Sequence, residues 1–456
     1  MKPHVVILGA GISGLSLAWK LMTHGIQVDV LESNPFVGGL AGTVREDGYC
    51  LDFGPHSFFS ENEEILDTVF NLFDRKLEPK PREVKFYYNG KYLDYPLTSV
   101  NVLFQMGITS GLRSGLSFLK NKIIPRKHNP SEKEEETVED WAIANFGEHL
   151  YQTFFKPYTE QFWKVSCREL SSHSIPTHTR MSFANTCRLL LHRRFTKDGS
   201  SLIEREMLPT YYPKTGFGEI AERIAKEITK NGGNIHLDCQ VTEISELSNK
   251  ACVYYKQNGQ QKETEGSYVV STIPLHLLIK MLNPSPGSEV LLSAEKLDYR
   301  ALIVLGMITE KQDILDCNYI YVLNRPYNRI TEMNKFSPHT SPPTDNIIAV
   351  EIPTLKEGAA WTASKEELFD MCIGSLSEDG FLGPGDVKKL FLVKTPYAYP
   401  VYRKDYKVHL DRLLSCIQQH ERLATLGRTG EFIYMDADIC MKRAFKFADD
   451  LQKNLI

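Results

Sequence analysis

Apolar positions in this chain change their spacing twice within the first turn of sequence, and the change defines a unit. Val5-Val6-Ile7-Leu8 is a continuous, β-branched apolar run, the pattern of a strand buried on both faces of a parallel sheet. Gly9-Ala10-Gly11-Ile12-Ser13-Gly14 follows directly. Residues 15–23 then place Leu15, Ala18, Trp19 and Met22 on one helical face. A second strand over 27–31 ends at Glu32. Strand, glycine turn, helix, strand and acid in that order form the fingerprint of a dinucleotide site. Gly9 permits the tight turn, Gly11 lets backbone approach a pyrophosphate, and Gly14 lets the helix pack closely on the strand. The start of the helix, with Ser13 in its first turn, offers free N–H groups and a positive dipole end to phosphates. Glu32 is placed to accept hydrogen bonds from a ribose diol.

The same reading extends along the chain. Residues 219–230 carry Ile220, Ile224 and Ile228 at helical spacing and stop at Asn231-Gly232-Gly233, a helix-ending signal. Strands are expected at 234–237, around Val241-Thr242-Glu243-Ile244, and at 268–274, with a hairpin turn at Asn258-Gly259. Thr137-Val138-Glu139-Asp140 opens a helix as a capping box, with Asp in place of Glu. The charged stretch 133–136 beside it reads as a solvated helix start. Residues 86–208 read as mostly helical. Residues 301–308 and 347–352 read as strands of a sheet on the substrate side. No internal repeat is evident. Between 100 and 127, Leu103, Phe104, Leu112, Leu116, Phe118, Leu119 and Ile123 alternate with Arg113, Lys120, Lys122, Arg126 and Lys127. That is an amphipathic, basic pattern, which fits either an ordinary core-packed helix or peripheral membrane contact, and residues 188–194 can add to the same patch.

Past Glu32, Gly38-Gly39-Leu40-Ala41-Gly42 forms a second glycine turn and Phe53-Gly54-Pro55-His56 a third. With these motifs the chain resembles the flavoprotein group that holds protoporphyrinogen oxidases, monoamine oxidases and UDP-galactopyranose mutases. The resemblance implies FAD as cofactor, with Glu32 on the adenosine ribose and Gly38 and Gly39 facing the pyrophosphate. It further implies backbone contact with adenine near Val241 and a strand end at Thr272 lying over the cofactor. The implied fold is α/β: a Rossmann-like FAD-binding domain assembled from residues 1–75, 209–290 and 402–456. Residues 76–208 would form a mostly helical, substrate- or membrane-facing subdomain, and 291–401 a sheet subdomain.

Two further strings carry the resemblance. Tyr158-Thr159-Glu160-Gln161-Phe162-Trp163 resembles the Tyr-Thr-x-Lys-x-Trp segment of the mutases, which lines their nucleotide pocket. Gln161 stands where Lys is expected, and Lys164 where Gly usually follows the Trp. The downstream mutase arginine has no match at its offset, where Thr177 stands, and Arg180 lies three residues later. Tyr158, Trp163 and Arg180 are therefore the substrate-side candidates, with aromatic core filling as the plain alternative for the two rings. Gly427-Arg428-Thr429-Gly430-Glu431-Phe432-Ile433-Tyr434-Met435-Asp436-Ala437-Asp438 resembles the mutases' Gly-Arg…Tyr-x-Asp-x-Asp. By resemblance, Arg428 and Tyr434 face a sugar-nucleotide diphosphate and the flavin. Gly427, Asp436 and Asp438 would belong to the cofactor contact, as would Ser13, Leu40 and Gly54. His56 matches the mutase Gly-Pro-His and can tune the flavin or relay a proton.

Composition narrows the partners. The 456-residue chain has a net charge of −4, with 42% hydrophobic and 24% charged residues, which argues for a globular protein of more than one domain and against a nucleic-acid binder. Its nine Cys residues contain no C-x-x-C and no metal-ligand spacing, which suggests reduced thiols; no leader pattern precedes the first strand, so a cytoplasmic location is expected. No metal is expected. The leading functional expectation is an oxidoreductase of the protoporphyrinogen oxidase-like group, whose flavin N5 takes a hydride from a carbon next to nitrogen or oxygen. The amine-oxidase flavin lysine has no counterpart in 301–308. The competing expectations are a non-redox mutase acting on a nucleotide sugar, and a flavin-binding partner protein without turnover.

Overall fold

The computed structural model describes residues 3–88, 90–94, 135–175 and 208–455, with isolated positions 113, 116, 117 and 120. Arg180, the patch 188–194 and all but those four positions of 100–127 lie outside the described residues.

The apolar run at the start becomes His4–Leu8, the central strand of a five-stranded parallel sheet. Its neighbours are Gln27–Leu31 and Asn234–His236 on one side and Tyr268–Ser271 and Leu423–Thr425 on the other. Three distant stretches of chain thus build one sheet. Val5 to Leu8 are wholly buried: Val5 and Ile7 face helices on one side, and Val6 and Leu8 pack with Val241, Ile244 and Val253 of a second sheet on the other. The glycine-turn helix Ile12–Thr23 packs on Glu219–Lys230 and on the C-terminal helix Ala437–Leu455. A four-stranded sheet follows, with strands Gln260–Gly266, Ala251–Gln257, Cys239–Glu246 and Leu282–Asn283 in that order. Asn258 and Gly259 both take positive φ (51° and 76°), as a two-residue hairpin turn requires.

The third large sheet has seven strands in the order Val387–Val401, Asp298–Thr309, Asn346–Thr354, Arg329–Glu332, Tyr319–Val322, Val84–Tyr88, Lys91–Asp94. The last two strands stand at the start of the stretch 86–208 that reads as mostly helical. Val84–Tyr88 pairs in parallel with Tyr319–Val322, far along the chain, and antiparallel with the neighbouring Lys91–Asp94. Helices do follow. Val138–Phe146 begins at the expected capping box: the Asp140 N–H donates to Thr137 Oγ1 at 3.1 Å and the Thr137 N–H to Asp140 Oδ2 at 3.2 Å.

One buried carboxylate ties the pieces beneath the site. Asp52 accepts from Thr43 Oγ1 (2.5 Å), Tyr212 OH (2.6 Å) and the Phe217 N–H (3.1 Å), joining the Thr43–Glu46 and Tyr49–Asp52 hairpin to the loop before Glu219–Lys230. Burial lifts its pKa to about 6 against those bonds.

Candidate active site

The three glycine turns meet at one cavity of about 830 Å³ between the parallel sheet and the seven-stranded sheet. Gly9 takes φ 99°, and a Cβ there would lie 2.6 Å from Thr272 Oγ1. A Cβ on Gly14 would lie 2.0 Å from the Gly9 carbonyl oxygen, so that glycine is required by packing. Gly11 differs: the nearest atom to its missing Cβ is the Gly38 carbonyl oxygen at 3.9 Å, so the space in front of Gly11 belongs to the cavity. The Gly38 N–H donates to the Ala10 carbonyl at 2.8 Å, and Gly38 (φ 112°) and Gly39 (φ 54°) fold the second turn back onto the first. Glu32 is buried at the cavity wall. Its Oε2 accepts from the Ala10 N–H (2.8 Å) and its Oε1 from the Asn34 N–H (2.9 Å) and amide (2.7 Å), which fixes the carboxylate's direction. Ser13, Leu40, Gly54, Val241 and Thr272 line the same cavity.

The C-terminal string closes the other wall. Gly427 (φ 87°) sits behind the lining, where a Cβ would meet Ser13 Oγ at 2.5 Å, so the string packs directly on the first glycine turn. Arg428, Tyr434, Asp436 and Ala437 face the cavity. Asp438, in the first turn of Ala437–Leu455, is buried outside the lining. Arg428 donates to the carbonyls of Ala398 (2.9 Å) and Met435 (3.3 Å), and its guanidinium lies over the rings of Tyr434 (4.4 Å) and Tyr399 (4.7 Å). Tyr399 and Tyr434 stack at 5.9 Å. Burial pushes the Tyr434 hydroxyl's pKa up, so it stays protonated. His56 stacks on Phe217 at 5.0 Å. Burial first, then Arg428 and Arg329, push its pKa down to about 3. The ring is therefore neutral at ordinary pH, which removes an imidazolium acid from the roles open to it and leaves a neutral hydrogen-bonding group.

Sequence reasoning missed the other half of the wall. Arg329 lines the cavity from Arg329–Glu332, pairs with the buried Glu351 at 2.7 Å and lies 5.3 Å from the Tyr321 ring. Burial opposes its charge, and Glu351 more than restores it. Tyr319, Tyr321, Tyr397, Tyr399 and Arg82 complete the wall. Arg300 stands one layer behind, wholly buried between the Phe162 (3.9 Å) and Tyr399 (4.2 Å) rings. Its pKa is pushed down to about 10 by burial. The available signal was a lone arginine inside an apolar strand pattern, as in Tyr299-Arg300-Ala301-Leu302. Tyr158 and Trp163 are not in the lining. Tyr158 packs on Tyr321 (6.2 Å) and Trp163 on Tyr399 (6.4 Å), so both support cavity rings from behind.

Among the described residues no group of His, Cys, Asp and Glu has metal-binding geometry, and no helix is long and apolar enough to cross a membrane. The open cradle at Gly11, the oriented Glu32 and the helix N-terminus at Ala437 fit a flavin dinucleotide. Fold and site together define a dinucleotide-binding flavoprotein. The chain belongs to the family described as flavin containing amine oxidoreductase, whose model matches residues 12–407, and its cofactor is FAD. It is 24% identical over 454 residues to a probable UDP-galactopyranose mutase of Klebsiella pneumoniae, covering 98% of this chain and 94% of that one. It is 22% identical to a mitochondrial protoporphyrinogen oxidase of Nicotiana tabacum over 68% of this chain and 66% of that one. Among solved structures, a reduced UDP-galactopyranose mutase matches with a TM-score of 0.81 at 18% identity, over 100% of this chain and 94% of that chain. A putative protoporphyrinogen oxidase from Exiguobacterium sp. 255-15 matches at 0.76 and 15%, over 100% of this chain and 99% of that chain.

Proposed function

We propose that this flavoprotein is an enzyme acting on an anionic, polyhydroxylated substrate of the nucleotide-sugar class. One observation carries the reading: two guanidinium side chains, Arg428 and Arg329, line the same cavity as the Gly11 cradle. A pair of guanidiniums is suited to the oxygens of a diphosphate. The surrounding tyrosines give flat faces and hydroxyls for a sugar. A cationic amine would meet like charge there. The probable mutase that matches nearly the full chain supports the same substrate class.

Residues holding the FAD would be Gly11, Gly38 and Gly39 at the pyrophosphate, Glu32 at the ribose, and the backbone at Val241 and Ala437. Bound there, the flavin supplies either hydride acceptance or, when reduced, a nucleophilic nitrogen. The chain's own part is positional and electrostatic. Arg428 and Arg329 hold the anionic end, Tyr434 keeps its proton and donates to a substrate oxygen, and the N-terminus of Ala437–Leu455 favours negative charge at the cavity floor. Neutral His56 accepts or donates one hydrogen bond without adding charge.

A second reading, the oxidoreductase of the protoporphyrinogen oxidase-like group, is favoured by Gln161 and Lys164 standing where the mutase segment has Lys and Gly. The test is turnover by dithionite-reduced holoenzyme on UDP-galactopyranose and its furanose isomer, against anaerobic bleaching of oxidised holoenzyme by amines and porphyrinogens. Isomerisation only after reduction supports the nucleotide-sugar reading. Bleaching without isomerisation replaces it with the oxidoreductase.

A further inference from the structure

We infer that Gln161 is a positioning residue: its carboxamide fastens the helix Lys156–Trp163 to the turn that carries Tyr321 and Arg329, and so sets where the Arg329 charge stands in the cavity. Tyr321 and Arg329 face each other across the pair of strands Tyr319–Val322 and Arg329–Glu332, and both line the cavity. The turn between them reverses through Asn324, which takes φ 60°. Inside that turn, the Val322 N–H finds the Asn328 carbonyl (2.9 Å). The Val322 carbonyl, the Tyr327 carbonyl and the Asn324 N–H are each met by one side chain. Gln161 Nε2 donates to Val322 O (3.1 Å) and to Tyr327 O (2.8 Å), and Gln161 Oε1 accepts from the Asn324 N–H (2.9 Å).

The match is chemical as well as geometric. The turn presents two acceptors and one donor, and a carboxamide presents two donors and an acceptor in one plane. Lysine would donate to the carbonyls and leave the Asn324 N–H unmet. Glutamate would accept from that N–H and set a charge against two carbonyls. The neighbouring residue repeats the docking: the Phe162 carbonyl accepts from Arg300 Nη1 at 2.7 Å, so the end of this helix is held at two consecutive residues against the wall. Arg329 pairs with Glu351 through one Nη only, so the turn supplies the constraint on its guanidinium that the ion pair does not.

The inference rests partly on reading the cavity as anion-binding, and the test separates the two. Holoenzymes carrying Gln161→Met, Arg329→Met and both changes are compared by the Kd for inorganic pyrophosphate, read from flavin fluorescence, and by the midpoint potential of the bound flavin. Gln161→Met should weaken pyrophosphate on the order of tenfold. It should lower the potential in the same direction as Arg329→Met, because both take a positive charge out of place. The double variant should match Arg329→Met alone, since Gln161 acts through Arg329. Gln161→Glu, which keeps the side chain's shape, should fall on the same side and serves if the Met variant folds poorly. Fully additive effects, or a wild-type Kd and potential alongside a lowered Tm, would overturn the assignment. No pyrophosphate binding by wild type refutes the anionic-substrate reading instead, and the potential then decides the role of Gln161.

Discussion

At the scale of residues, the glycines divide by what their missing side chains would touch. Gly14 abuts the Gly9 carbonyl at 2.0 Å and Gly11 faces open cavity. Gly11→Val should therefore fold and lose FAD, whereas Gly14→Ala should fail to give soluble folded protein. Flavin absorbance per folded molecule, with circular dichroism as the fold check, separates them. His56 gives a pH prediction. Its folded pKa of about 3 lies below the ordinary 6.5, so below pH 6.5 the unfolded chain takes a proton that the folded chain refuses. The stability that comes from keeping His56 neutral is whole above pH 6.5 and is lost as pH falls toward 3. His56→Phe should keep the stacking on Phe217 and lose about 2 kcal/mol less than wild type between pH 7 and pH 5, measured by urea unfolding. Asp52, with its raised pKa, acts in the opposite sense in both proteins and cancels in the comparison. These residues were readable because a glycine motif or a Gly-Pro-His names its own position. Arg329 and Glu351 were not: each sits in a strand whose pattern shows burial, and only their pairing at 2.7 Å explains why a buried charge is tolerated.

At the scale of elements, local signals were sufficient where capping and periodicity agreed. Glu219–Lys230 appears with the expected bounds, because its isoleucines form a buried stripe and Asn231-Gly232 ends it. Val84–Tyr88 was not read as a strand, although Lys91–Asp94 beside it is one partner, because its other partner lies more than two hundred residues away and Val-Lys-Phe-Tyr-Tyr has no periodicity that separates strand from helix. The helix Lys156–Trp163 holds a testable imperfection. It ends at Lys164 in the left-handed region, φ 57°. Lys164→Gly should stabilise the protein by roughly 0.5–1 kcal/mol, seen as a higher Tm, since the Cβ strain is removed. At the other cap, Thr137→Ala should cost about 1 kcal/mol, because the Asp140 N–H loses its acceptor.

At the scale of the whole molecule, separated pieces of chain make one parallel sheet, and the seven-stranded sheet stands against it across the cavity. The cofactor half was legible in sequence since each piece carries its own glycine turn or strand end. The opposite wall was only partly legible: the C-terminal string singled out Arg428 and Tyr434, which line the cavity, whereas the wall of Arg329, Tyr319, Tyr321 and Tyr399 exists only once distant strands are paired. The central claim is that this cavity receives a nucleotide diphosphate, and titration of oxidised and reduced holoenzyme with UDP, followed by flavin fluorescence, tests it most directly. Saturable binding in wild type, weakened about tenfold to a hundredfold by Arg428→Ala (about 1.5–3 kcal/mol for a charge-assisted contact) and less by Tyr434→Phe, is the predicted result. Absence of binding at millimolar UDP in both redox states, with the flavin fully retained, would contradict it.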